Sequence, residues 1–339
     1  MKSYEAPNFI KFDTIKIRTK IDYFKKETLT FNVNNHPRNG YIEGKSYSAI
    51  KDNKIPYNLF IGINYFKQSM TIEFSSKILL DDYPKLITKN TFKQCLDNLN
   101  KLGICEIDAE SISKDCYLSI GHIASDHEMD LTDGKLDTLN TLVDQYRRYK
   151  WKHYEKTGYI FSKDTKEKKG NETFRIYDKE TEILEPKNEK FVSLLQNPEK
   201  IRNYFEKYNV RFEFVLDKDN IIKDYLNIPD THIDNVFNSK ANPLLLQFNK
   251  IFGTDELRIY PYINTPDKLL IKNTLELYKH DLKKIEMSFR PPIYNSRSGR
   301  TKKMNLFKEI SHKILNEKPI YSTVLAEIRE KLEGSNIYK

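Results

Sequence analysis

Five short stretches of this chain alternate apolar and polar side chains with a period of two: Thr14 to Arg18, Ser69 to Ser75, Leu118 to Asp126, Thr173 to Tyr177 and Val210 to Leu216. That period sends successive side chains to opposite faces, so each stretch predicts a strand with one face on a core and the other toward water. Strands of this kind belong in an antiparallel sheet. Between them, Lys89 to Leu102, Lys135 to Tyr149 and Lys190 to Tyr208 carry apolar residues at helical spacing. The layout predicts an α+β fold: an antiparallel sheet with helices on one face and the other face exposed.

After Leu216 the strand signal fades. Pro229-Asp230-Thr231 reads as a helix start, which places a boundary near 228 and divides the chain into residues 1–228 and a helical C-terminal region, 229–339. Within that region, residues 290–303 (RPPIYNSRSGRTKK) hold five basic residues, no acid, two prolines and one glycine, and predict a basic loop. Asn305 to Leu315 and Ser322 to Leu332 predict two amphipathic helices.

Charge narrows the partner. The 57 Lys and Arg exceed the 48 Asp and Glu, a net charge of +9, which points to a polyanion and first of all to nucleic acid. No stretch approaches the roughly 20 apolar residues of a membrane span, and the start MKSYEAPNFIKFD lacks the apolar core of a signal peptide. The expectation is a cytoplasmic protein without a membrane partner. Cys95, Cys105 and Cys116 are odd in number and lack CxxC spacing, so they read as ordinary thiols.

Period two also sorts the reactive side chains. Glu73, Glu213, Arg211, Arg175 and Tyr177 fall opposite the apolar residues of their strands, and His122 and Asp126 share a face of theirs. Paired into one sheet, these strands would gather two glutamates, an aspartate, a histidine and a tyrosine on one surface. Carboxylates with one imidazole suit Mg2+ or Mn2+, and the tyrosine is then the available nucleophile. A solvated sheet face with an aromatic packed at a strand end is the plain alternative.

Four ordered blocks resemble the replication initiators of filamentous phages, the gene II proteins, and related rolling-circle plasmid initiators. They are Phe12-Asp13-Thr14-Ile15-Lys16-Ile17, then Ile72-Glu73-Phe74-Ser75-Ser76-Lys77, then TGYIFSK and FRIYDK within Tyr154 to Lys179, and finally VRFEF. Together they span roughly residues 12–228, and Tyr177 to Glu182 fits the pattern tyrosine, any, lysine, any, any, glutamate. The resemblance implies an endonuclease that nicks one DNA strand at a replication origin, stays linked to the 5′ phosphate through Tyr177, and later rejoins the ends. It also implies Lys179 and Glu182 beside the nucleophile, and a Mg2+ or Mn2+ ion held by Glu73, Glu213, His122 and Asp126. His122 stands where that family usually has an aspartate; an alternative alignment uses Asp108 instead. The partners it implies are origin DNA, single-stranded or supercoiled, and the helicase and polymerase of a bacterial host. Many rolling-circle nucleases hold metal with a histidine, apolar, histidine pair, and none occurs among the seven histidines here.

The segment Gln145 to Tyr154 interleaves aromatics with cations, including Arg147, Arg148, Lys150, Trp151 and Lys152. Such a mixture neutralises phosphates and stacks on unpaired bases, or else is a basic helix end with its rings on the core. The basic stretch Lys163 to Arg175 predicts a loop able to reach the DNA backbone. Arg297 and Arg300 lie in the basic loop, which reads equally as a phosphate-binding arm or a solvated connector. The C-terminal helices read either as an origin-reading module or as a helical lid. No aromatic run of the RNA-binding sheet type is present.

Overall fold

In a computed structural model of the chain, residues 9–35, 40–49, 55–131, 133–146, 149–154, 157–163, 172–253, 262–288, 297–316 and 320–334 are described. Their strands are β1 (Phe12–Lys20), β2 (Phe24–Glu27), β3 (Asn32–Asn35), β4 (Ile42–Ser48), β5 (Leu59–Asn64) and β6 (Ser69–Ser75), followed by β7 (Cys105–Ile107), β8 (Tyr117–His127), β9 (Lys150–Tyr154), β10 (Gly158–Ser162), β11 (Phe174–Asp178) and β12 (Val210–Leu216). Ten of them form one sheet in the order β3-β4-β5-β6-β1-β8-β12-β11-β10-β9, and β2 pairs with β7 apart from it. Every neighbouring pair in the large sheet is antiparallel. The fold is α+β. All five expected strands are present, and β6 and β12 have the bounds that the alternation predicts.

Alternation explains the core. Ile15, Ile17, Ile61, Ile72, Phe74, Ile123, Phe174, Ile176, Phe212 and Phe214 are completely buried on one face. Helices Phe92–Lys101, Asp219–Leu226, Ile233–Asn238 and Pro243–Phe252 close over that face with aromatic contacts. Phe74 stacks on Phe92, Phe12 meets Phe237 edge-on, and Phe214 lies 4.7 Å from Tyr225. Burying one such ring is worth about 1.5–3 kcal/mol, so this row of contacts anchors the sheet.

The second face is not left open along its whole length. Ser76–Lys85 and the helices Lys179–Ile183, Glu189–Val192 and Pro198–Lys207 cover one end of it, with Tyr83 packed between Phe191 and Phe205. The expected helix Lys190 to Tyr208 is two helices, because the Asn197 side chain caps Lys200 N–H and Pro198 starts a new helix.

The chain divides into two compact units, Met1–Phe252 with Glu330–Lys339, and Gly253–Arg329. The division lies beyond the boundary expected near 228, since helices Ile233–Asn238 and Pro243–Phe252 complete the core of the sheet. The second unit contains helices Pro266–Leu277, Leu282–Ser288 and Arg297–Asn316 around Ile271, Leu275, Ile285, Met304, Phe307 and Ile310. Arg297 to Lys303 are therefore helical and not loop; residues 290–296 lie outside the described residues. At the two ends of this unit the Arg329 guanidinium donates to the carbonyl of Gly253 at 2.6 Å. In the first unit, the Asn242 amide donates to the carbonyl of Leu332, also at 2.6 Å.

Candidate active site

Strand register decides which side chains meet on the second face. Tyr177 pairs with Arg211, and Arg211 with Asp126; one row along, Arg175 pairs with Glu213. The next row sets Val215 beside His122 and His122 beside Thr14, while Lys16 pairs with Glu73. Tyr177, Glu213, Asp126, His122 and Glu73 thus share one face of one sheet, as the alternation predicts.

Glu213 is the centre of this group. It is 3% exposed; its Oε2 accepts from the Tyr177 hydroxyl at 3.3 Å, and its Oε1 from the Arg175 guanidinium, with His122 Nδ1 3.0 Å away. Burial would raise its pKa, but Arg175 and His122 outweigh that and hold the carboxyl below its ordinary value. Glu213 is therefore an ionised acceptor. Burial, and next the charge of Glu213, push the Tyr177 phenol well above its ordinary value, so it rests protonated.

Beside them lies a second network, centred on a fully buried arginine. Arg211, 0% exposed, grips Asp126 with Nε and Nη2 at 2.6 and 2.8 Å. It also donates to Asp13 and to the Tyr83 hydroxyl. Burial works to raise the Asp13 pKa, yet Arg211, Lys179 and Lys77 overcome it and hold the group well below the carboxylate range. Lys179 pairs with Glu182, and its Nζ is 5.6 Å from the Tyr177 ring centroid. Burial opposes the charge on Glu182 as well, but Lys179 and Lys77 bring its pKa down to about 2. Lys77 donates to Asn188 at 2.6 Å, and burial lowers its pKa to about 8.

Two expectations need correction. The surface around Tyr177 is not exposed: the residue is 2% accessible, because covering segments fold over this end of the face and Tyr154 lies against it with ring centroids 4.8 Å apart. Gly158 pairs with both tyrosines, and its missing side chain lets the rings meet; a Cβ there would come 2.1 Å from the Ile176 carbonyl oxygen and 2.7 Å from Tyr177 Cβ. Glu73 does not converge on the phenol either. It sits four strands from β11, roughly 19 Å at about 4.8 Å per strand, and is held by Lys16 at 2.9 Å and the Asn58 amide at 2.9 Å.

The four side chains implied as metal ligands fit a closed, all-protein site poorly. Asp126 and Glu213 have side chains 1% and 4% exposed and are bound by arginines. Among the described residues no three His, Cys, Asp or Glu side chains are grouped to hold a metal ion. Glu73 and His122, with side chains 25% and 24% exposed, are the pair open to a hard cation; Mg2+ is often held by one or two carboxylates with substrate phosphate and water completing its shell. Asp108 is outside the sheet altogether and caps the helix Ala109–Lys114 through Ser111 N–H.

The aromatic and basic segment that precedes β10 is in part strand. On β9, Lys150, Lys152 and Tyr154 lie on the Tyr177 face, while Trp151 and His153 turn to the other and meet Tyr159 at 5.3 and 4.9 Å. Lys150 and Lys152 are exposed, so the cations and the indole cannot serve one flat surface. Arg147, Arg148 and residues 164–171 lie outside the described residues. Arg175 is committed to Glu213 and stands 5.6 Å from the Tyr154 ring. Arg297 opens the long C-terminal helix and Arg300, half-exposed, follows within it.

Sequence reasoning did not single out Asp13, Lys77, Tyr83, Tyr154 or Asn188, and it read Arg211 as outward. The signal for Arg211 was present: VRFEF puts it on the same face as Glu213 and, through period two, across from Asp126. No helix among the described residues is long and apolar enough to cross a membrane. The sequence matches no protein-family model and no curated protein.

Proposed function

We propose that the protein is a rolling-circle replication initiator that nicks and rejoins one DNA strand through a covalent 5′-phosphotyrosine at Tyr177. The observation that carries the reading is the Tyr177 hydroxyl donating to ionised Glu213, with the Arg175 guanidinium on the same carboxylate. A phenol needs a base to attack phosphorus, and a phosphate needs a cation. Here both stand on adjacent strands.

In the forward step Glu213 takes the phenol proton, the phenolate oxygen bonds to phosphorus, and the P–O3′ bond breaks. The released 3′ oxygen takes a proton from solvent and is then a primer for a host polymerase, with a host helicase opening the duplex. Rejoining is the reverse displacement. Arg175 holds a non-bridging oxygen as charge develops, and Lys179 stays with Glu182, supplying a positive field near the ring and no proton. A Mg2+ or Mn2+ ion arriving with the phosphate would neutralise charge there; His122, beside Glu213 and part-exposed, is the residue open to it, whereas Glu73, four strands away, is out of reach of the same ion. The reading requires Tyr154 to swing aside, because its ring closes the approach to Tyr177.

The test is incubation with labelled single-stranded origin DNA and Mn2+, followed by peptide mapping. A covalent product on Tyr177, absent from Tyr177→Phe, is the expected result; cleavage without any protein-linked product would favour a hydrolytic nuclease. Burial of Tyr177 and complete pairing of Asp126 and Glu213 favour a second reading, a DNA-binding replication-control protein with the fold and without the chemistry. Origin binding with neither cleavage nor adduct would select it.

A further inference from the structure

On β5, Leu59, Ile61 and Ile63 face the core, yet the opposite, polar face carries Phe60, which is half-buried. Its ring lies back along its own strand over Gly62: a Cβ built at 62 would come 2.9 Å from Phe60 Cε1 and 3.0 Å from Cζ. Glycine at 62 therefore allows the ring to lie flat on the sheet instead of standing off it. Phe60 pairs with Glu73 on β6, and from the next strand Lys16 Nζ approaches to 5.6 Å of the ring centroid. Lys16 is shared with Glu73, but Arg18, two residues on, is exposed and has no ion-pair partner among the described residues. Arg18 opens onto a hollow also lined by Lys67, Gln68 and Tyr117, in which Asp115 is bound to Lys20 at 2.7 Å.

A flat ring on a water-facing sheet surface, with Lys16 over it and Arg18 further along the strand of Lys16, gains little as packing. It has the form of a platform for an unpaired base, with phosphates drawn to the cations beside it. We infer that Phe60, Lys16 and Arg18 form a base-stacking subsite for single-stranded DNA, five strands from β11 and roughly 24 Å from the Tyr177 strand. A few unstacked nucleotides span that interval, so the strand held at Phe60 continues across His122 toward Arg175. The choice of DNA rests on the nicking reading; the stacking geometry does not.

The test uses the full chain in EDTA, where no cutting competes, with oligothymidylate bearing one 2-aminopurine and a terminal fluorophore. Binding is read by anisotropy and stacking by quenching of the 2-aminopurine. Phe60→Ala is expected to weaken binding about 10-fold, the scale of one base on one ring, and to remove the quenching, while Phe60→Trp keeps both. Gly62→Ala is expected to behave like Phe60→Ala although the phenyl ring remains, because the new methyl lifts it. Circular dichroism establishes that each variant is folded. Unchanged affinity and quenching in Phe60→Ala overturn the inference, as does tighter binding of duplex, or of the matching RNA, than of the single strand. Quenching without any covalent product under nicking conditions would sink the nicking reading and leave the subsite standing. A normal adduct yield and normal affinity in Phe60→Ala would do the reverse.

Discussion

The two ends of the polar face solve the same electrostatic problem differently. Around Tyr177 most charges are withdrawn from water and each is answered by another: fully buried Arg211 by Asp126 and by part-exposed Asp13, buried Lys179 by Glu182, and part-exposed Arg175 by buried Glu213. Around Phe60 the pair Lys16 and Glu73 stays a quarter to a third exposed, and Arg18 is left to solvent. Burying ions is costly unless the geometry is complete, so the covered end is fixed in one arrangement. Surface pairs cost little to break, so the open end can exchange a protein partner for a phosphate. The contrast separates a part of the face that fixes Tyr177 from a part free to exchange its polar partners.

Removing one buried charge attacks the contrast most directly. Arg211→Ala leaves Asp13 and Asp126 without their cation, and denaturant melts should show a loss of about 3–5 kcal/mol. A loss below 1 would mean that this end is wet and the distinction false. Next in size is an acid dependence. Glu182 has its pKa lowered from 4.5 to about 2, so its contribution is complete above pH 4.5 and disappears as pH falls toward 2. A depression of that size corresponds to about 3 kcal/mol, and stability measured between those pH values should fall more steeply in the wild type than in Glu182→Gln. Gly158→Ala is smaller: forcing a methyl between β10 and β11 should cost about 1–3 kcal/mol in a thermal melt and move Tyr154 off Tyr177. Smallest is Lys16→Ala at the open end, expected below about 1 kcal/mol in the same melt. Equal losses for Lys16→Ala and Arg211→Ala would erase the comparison.

How much of this was legible in sequence follows from the length scale of each interaction. Period two is a property of neighbouring residues, and it located β6 and β12 to the residue and put Tyr177, Glu213, His122, Asp126 and Glu73 on one face. Strand order is not local. Nothing in the alternation says that β6 stands four places from β11, which is why Glu73 looked like a companion of Tyr177 and is not one. Cover is not local either: Tyr83 and Phe205 reach the site from segments far along the chain, and they turn a face read as exposed into a buried one. β9 was hidden by its own composition, since Lys150 to Tyr154 alternates cations with rings and so resembles a mixed basic surface more than a strand. Leu59 to Asn64 carries Phe60 and Gly62 at its outward positions, so its composition masks the alternation in burial that the strand shows.

The helical unit begins at Gly253 and ends at Arg329, and the same two residues are joined by a hydrogen bond. Entry to and exit from this unit are thus clasped to each other by one guanidinium, and the exit lies within the helix Ile320–Leu332, so fraying of that helix would release both ends of the unit together.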